Sequence, residues 1–143
     1  MTRTKWTSNT DCTLYSRDII ERIEELEAER EDYTTQNAEH GVTPEMIDAL
    51  HESWALFFPG NAAELAALSK LAKGAECAAD WHHGETLIRD DYFTEYAREL
   101  LEDCGTIPRD LPDWVVIDWD ATARNVRVDY FPVNFDGVTY WIR

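Results

Sequence analysis

The sequence predicts an α+β protein: a helical hairpin at the amino end, then helices packed on a small carboxy-terminal antiparallel β-sheet. Apolar residues recur at helical spacing through most of the stretch from Ser16 to Gly105. After Val128 the pattern becomes short β-branched and aromatic runs on either side of Asp136-Gly137, a dipeptide suited to a tight hairpin turn. Strand-like runs gathered at one end of a helical chain favour helices set against a single sheet.

The first fourteen residues are polar, rich in Thr and Ser, with Trp6 isolated among them, and read as a loose arm or a short edge strand. Ser16 is the expected N-cap of a helix over about Arg17 to Gln36, with Asp18 in the first turn where the helix dipole favours an acid. Ile19, Ile23, Leu26, Arg30 and Tyr33 follow at alternating four-three spacing, a narrow seam of the coiled-coil type. Such a seam serves either a folded-back hairpin or a homodimer, and Ile19, Ile23, Leu26 and Tyr33 are its dimerising candidates. Its flanks are crowded with carboxylates, among them Glu21, Glu24, Glu25 and Glu31.

His40-Gly41 ends that helix. Thr43, Pro44 and Glu45 then supply an N-cap, a proline at the first helical position and a first-turn acid. Met46, Ile47, Leu50, Trp54 and Phe57 or Phe58 continue an apolar stripe to Pro59-Gly60, which stops the helix and marks a boundary between a segment 1–58 and a segment 61–143. An alanine-rich helix follows, with Leu65, Leu68, Leu71, Ala72, Ala75 and Ala79 on one side; Gly74 either weakens it or marks tight packing. A turn at His83-Gly84 and the apolar pair Leu87 and Ile88 lead into the next helix.

That helix, Asp90 to Gly105, carries Phe93, Tyr96, Ala97, Leu100, Leu101 and Cys104 towards a core. Asp91, Glu95, Glu99 and Glu102 lie opposite, flanked by Asp103. Acids four residues apart stand roughly 6 Å apart along the axis, comparable in scale to the phosphates of one DNA strand. An ordinary solvated helix face has the same pattern. Gly105 is the C-cap, followed by a connector with Pro108 and Pro112. Trp114 to Ile117 reads as β-like, Asp118 caps a short helix through Val126, and the strands around Asp136-Gly137 close the chain.

Charge is the strongest global signal. The 143 residues include 29 acids against 13 bases, a formal net charge of −16. That field repels nucleic acid and anionic membrane and attracts basic surfaces, the largest of which belong to proteins that bind nucleic acid. Solubility and adaptation to high salt are competing origins for the same balance. The 44% hydrophobic content and the six Trp, six Tyr and five Phe support a packed core. Three cysteines without paired spacing, no apolar leader and no long apolar run predict a reduced, cytoplasmic protein that does not enter a membrane.

Catalytic signals are weak. Asp118 and Asp120 flank Trp119 as a nuclease's metal-binding acids would, but at a helix start they serve equally as cap and first-turn acid. Cys77, His82 and His83 lack the spacing of a structural zinc site. There is no phosphate-cradling glycine loop and no nucleophile elbow. The expectation is a non-enzyme with no cofactor, no metal and no catalytic residue.

From about Glu85 to Arg143 the chain resembles the carboxy-terminal part of the ArdA antirestriction family, carried by conjugative plasmids, transposons and phages. FTEYARELLEDCG at Phe93 to Gly105, IDWDATARNVRVDY at Ile117 to Tyr130 and the closing FDGVTYWIR carry the likeness. The tail is also similar to that of small phage-encoded acidic proteins that begin in a helix like YSRDIIERIEELEAERE, here Tyr15 to Glu31. ArdA chains are longer and have other amino-terminal domains, so the hairpin departs from the family pattern.

The resemblance implies a DNA mimic: an acidic, usually dimeric protein that occupies the DNA groove of a restriction enzyme. The expected partner is a basic DNA-binding bacterial defence protein, a restriction enzyme or a CRISPR effector, in the host cytoplasm, with no direct contact to nucleic acid. Asp91, Glu95, Glu99, Glu102, Asp103, Asp118 and Asp120 are the leading mimicking charges, with Glu21, Glu24, Glu25 and Glu31 second. The competing expectation, from a different class, is an acidic helical adaptor that docks through the Ile19 to Tyr33 seam without mimicry.

Overall fold

The computed structural model describes residues 8–38 and 41–143. Helices and sheet combine in an α+β arrangement, and the sheet is covered on both faces. In chain order the elements are β1 (Thr13–Tyr15), α1 (Ser16–Asn37), α2 (Pro44–Phe57), α3 (Pro59–Ala75), β2 (Thr86–Arg89), α4 (Phe93–Asp103), α5 (Trp119–Val126), β3 (Phe131–Phe135) and β4 (Val138–Ile142). Among the described residues, no helix is long and apolar enough to cross a membrane.

The sheet runs β1-β2-β4-β3, antiparallel throughout. It draws strands from the whole chain, not from the carboxy end alone. The polar amino-terminal segment supplies edge strand β1, with Leu14 opposite Leu87, while Trp6 lies outside the described residues. The apolar pair Leu87 and Ile88 is the middle of an internal strand. Both are buried, and alternation sends them to opposite faces. The β3–β4 hairpin closes as expected: Asp136 and Gly137 both have positive φ, 50° and 88°, as a type I′ turn requires. Asn134 Oδ1 accepts the Gly137 N–H at 3.0 Å, bracing it.

One face of the sheet carries α1, α2 and α3. Ile19 and Leu26 of α1, Trp54 of α2 and Leu65, Leu68 and Leu71 of α3 join Leu87, Val133, Phe135, Tyr140 and Ile142 in one core. The residues of 1–58 and 61–143 therefore share that core across Pro59-Gly60. Pro59 ends α2 as expected but is also the first residue of α3, leaving Phe58 alone between the two helices. The other face carries α4 and α5, where Ile88, Phe93, Ala97 and Ala123 form a second core flanked by Tyr130 and Trp141.

Several local expectations are corrected. Ser16 does not cap α1, because its backbone N–H and its side chain are committed to β2's entry. The N–H donates to Glu85 O at 2.8 Å, and Oγ accepts the Glu85 N–H at 2.7 Å. Tyr15 holds the N-cap position without a side-chain bond. α1 ends at Asn37, with Gly41 at φ 81°; His40 lies outside the described residues. Thr43 does cap α2, Oγ1 accepting the Met46 N–H at 3.3 Å. A Cβ on Gly74 would meet only Val133, at 3.9 Å, so tight packing does not require that glycine. Trp114 to Ile117 forms no strand; Trp114 and Val116 are 84% and 86% exposed. Cys104 is exposed at the C-cap of α4 rather than in the core.

The proposed dimer seam faces inward. Ile19 and Leu26 are fully buried in the chain's own core, with Ile23 and Tyr33 packed against it. Like-charge crowding on α1 is offset at one point by Arg22, itself 5% exposed. Its guanidinium donates twice to Glu64 of α3, both at 2.8 Å, and once to Glu25 at 2.8 Å. The bond to Glu64 is the largest influence raising the Arg22 pKa. Forked donation to one carboxylate also fixes the angle between α1 and α3.

Candidate functional site

The site nominated by charge is the outer side of α4 with the start of α5. Phe93 sets it. Its ring meets Tyr130 edge-on at 5.1 Å and Trp141 at 6.3 Å, and the Arg127 guanidinium lies 5.6 Å from Phe93 and 4.7 Å from Trp141. Phe93 and Ala97 thus point at the sheet, and helical geometry turns Glu95, Glu99, Glu102 and Asp103 outwards; Asp91 lies in a single 3-10 turn, Asp90–Tyr92, that precedes the shorter-than-expected α4, and all five acids are exposed.

These carboxylates are not equivalent. Asp91 pairs with Arg89, and Glu102 with Arg98 at 3.1 Å. Glu99 accepts from the Tyr92 hydroxyl at 3.2 Å. Desolvation first, then the charge of Glu99, pushes that hydroxyl above its ordinary range. Glu95 and Asp103 have no ion pair among the described residues.

From α5, Asp120 is brought beside α4, where its Oδ1 accepts from Thr94 Oγ1 at 3.4 Å. Asp118 is used differently. Its Oδ1 accepts the Ala121 N–H at 3.0 Å, so it serves first as the helix cap. The Arg98 guanidinium lies over Trp119 at 5.5 Å and joins the two helices. A groove of ≈ 670 Å³ opens at the carboxy end of α4, between Glu102 and Asp103 on one wall and Ile107, Val116 and Trp119 on the other.

The acids of α1 belong to the other side of the molecule, since α1 and α4 cover opposite faces of the sheet. Glu21, Glu24 and Glu31 are exposed there, Glu21 standing 3.9 Å from Arg17. Glu25 is half-buried in its pair with Arg22, so it acts within the fold. The candidate charges therefore form two separate groups, one per face.

Sequence reasoning missed three features. Asp90 accepts from the Trp141 indole at 2.8 Å and lies 3.9 Å from Arg127, holding the base of α4 to β4. The Arg22–Glu64 pair is invisible to local pattern because its partners are 42 residues apart. On α2, only Trp54 is buried, while Met46, Ile47, Leu56 and Phe57, and Phe58 just after the helix, remain exposed. The apolar stripe on that helix was readable, but not that the core would use one residue of it. Among the described residues, no group of three or more His, Cys, Asp or Glu side chains is arranged to hold a metal ion. The chain matches no family model, no curated protein and no solved structure.

Proposed function

We propose that this protein binds a basic, DNA-handling protein by presenting carboxylates in place of phosphates, and thereby acts as a counter-defence inhibitor of a restriction enzyme or CRISPR effector. The observation that carries the reading is the exposed acid row of α4, Glu95 to Asp103, extended by Asp91 in the turn before it and reinforced from α5 by Asp120. Glu95 and Asp103 are available to a partner's Lys and Arg without first breaking an ion pair among the described residues. The net charge of −16 draws such a partner from a distance. The resemblance of the carboxy-terminal segment to the ArdA family points the same way.

The acids of α1 would serve as a second contact surface, reached only by a partner that wraps around the molecule or has two basic faces. An adaptor without mimicry is the second reading, favoured by the exposed apolar residues Leu56 and Phe57, which are 82% and 71% accessible.

The test is retention of proteins from a bacterial lysate at low and high salt, followed by DNA competition against the purified target. Displacement by duplex DNA and a steep loss of binding with salt are expected. The variant Glu95→Lys/Glu99→Lys/Glu102→Lys should weaken inhibition roughly 100-fold, a few kcal/mol spread over three contacts. Unchanged inhibition and salt dependence in this variant, with circular dichroism intact, would remove α4 from the interface.

A further inference from the structure

A second surface lies on the opposite face of the sheet, where α1, α2 and the start of α3 meet. Tyr33 and Phe58 line a groove of ≈ 410 Å³ floored by the buried Trp54, and its rim carries Glu29 and Asp32. The rings brace one another, Tyr33 edge-on to Phe58 at 6.2 Å and Trp54 tilted against Phe58 at 6.4 Å. Tyr33 is further held by a 2.6 Å hydrogen bond between its hydroxyl and Ser53 Oγ. At the rim, Asn61 Nδ2 donates to Glu29 Oε2 at 3.1 Å and orients that carboxylate.

The two acids face no competing cation in an ion pair among the described residues. Arg22, whose guanidinium feels the Glu29 charge, has its donors on Glu64 and Glu25. Aromatic faces beside carboxylates suit one ligand chemistry: a planar cation that stacks and forks at once, which is a guanidinium more than an ammonium. The exposed Phe57, its ring 6.5 Å from that of Tyr33, stands beside this groove and offers apolar contact to whatever flanks the cation. A second copy of this chain is disfavoured by mutual repulsion at a net charge of −16 each.

We infer that the α1–α2–α3 groove is a socket for an arginine side chain of a protein partner, presented between apolar residues. This goes beyond the mimicry of α4 and does not require it. The probe is a blocked Leu-Arg-Leu tripeptide, with its lysine and citrulline counterparts, titrated into the ¹⁵N-labelled full chain at low salt.

The indole N–H of Trp54 and the side-chain amide of Asn61 should shift saturably with the arginine peptide, less with lysine, and not with citrulline. Glu29→Gln/Asp32→Asn should weaken the arginine response about tenfold or more. Absence of a saturable shift, an equal response to citrulline, or an undiminished response in that double variant would each overturn the assignment. Glu95→Lys/Glu99→Lys/Glu102→Lys should leave the peptide response intact, so failure of the α4 reading and failure of the socket are separate results.

Discussion

Arg22 is the residue on which the packing of α1 against α3 turns. A buried guanidinium is tolerable only while its charge and donors are met, and here Glu64 and Glu25 meet them at 2.8 Å. Removing it leaves the Glu64 side chain, 11% exposed, as an unpaired charge. Arg22→Ala should therefore cost about 3–5 kcal/mol in denaturant unfolding. Arg22→Met/Glu64→Leu should recover most of that, because the pair's net worth is small once both charges leave together.

Tyr140 makes the same kind of commitment at the sheet. Fully buried, it donates to Asp11 O at 2.6 Å and ties the amino-terminal segment over β4. Burial, the main cause, pushes its hydroxyl up to about 12 against the pull of Arg89. The folded chain thus keeps a proton that the unfolded chain releases near 10. Stability from this group is complete below pH 10 and is lost as pH rises through 12. The loss is on the order of 2 kcal/mol, and Tyr140→Phe should make the stability–pH curve shallower in that window.

At the scale of elements, α1 and α4 were read from the same kind of pattern and serve different ends. In α4 the apolar residues Phe93 and Ala97 face the sheet and every nominated acid is outward, so stripe and counter-stripe were legible directly. In α1 the seam residues Ile19 and Leu26 are buried, with Arg22 and Thr34 beside them in place of the half-buried Ile23 and Tyr33. Their partner is the chain's own core, and Glu25 is drawn into an ion pair. Periodicity states which residues share a side, not what covers that side. The Trp114 to Ile117 run shows the converse: β-branched residues suit a strand, but a strand needs a neighbour, and the sheet offers this segment none.

For the whole molecule, surplus charge is a destabilising term as well as a lure. With 29 acids against 13 bases, self-repulsion opposes compaction. Raising NaCl from about 0.02 to 0.5 M shortens the Debye length from roughly 20 Å to about 4 Å. The melting temperature should rise by several degrees, equivalent to about 1–2 kcal/mol for a domain of this size. Partner binding through α4 should weaken over the same range. Opposite salt responses of stability and binding are the signature to measure; a melting temperature that falls with salt would contradict the charge argument.

What the residues alone determined were properties held within a turn or two of chain: the helices and their outward acids, the Thr43 and Asp118 caps, the Asp136-Gly137 hairpin and the sign of the field. Each depends on backbone geometry and neighbours a few positions away. Only the tertiary structure decided that β1 pairs with β2, that the α1 seam is filled from within, and that the sheet divides the acids into two groups. Those outcomes rest on contacts between distant segments, as when Ser16 bonds Glu85 across 69 residues. Whether such a contact forms depends on the burial gained by the whole assembly, which no local spacing encodes.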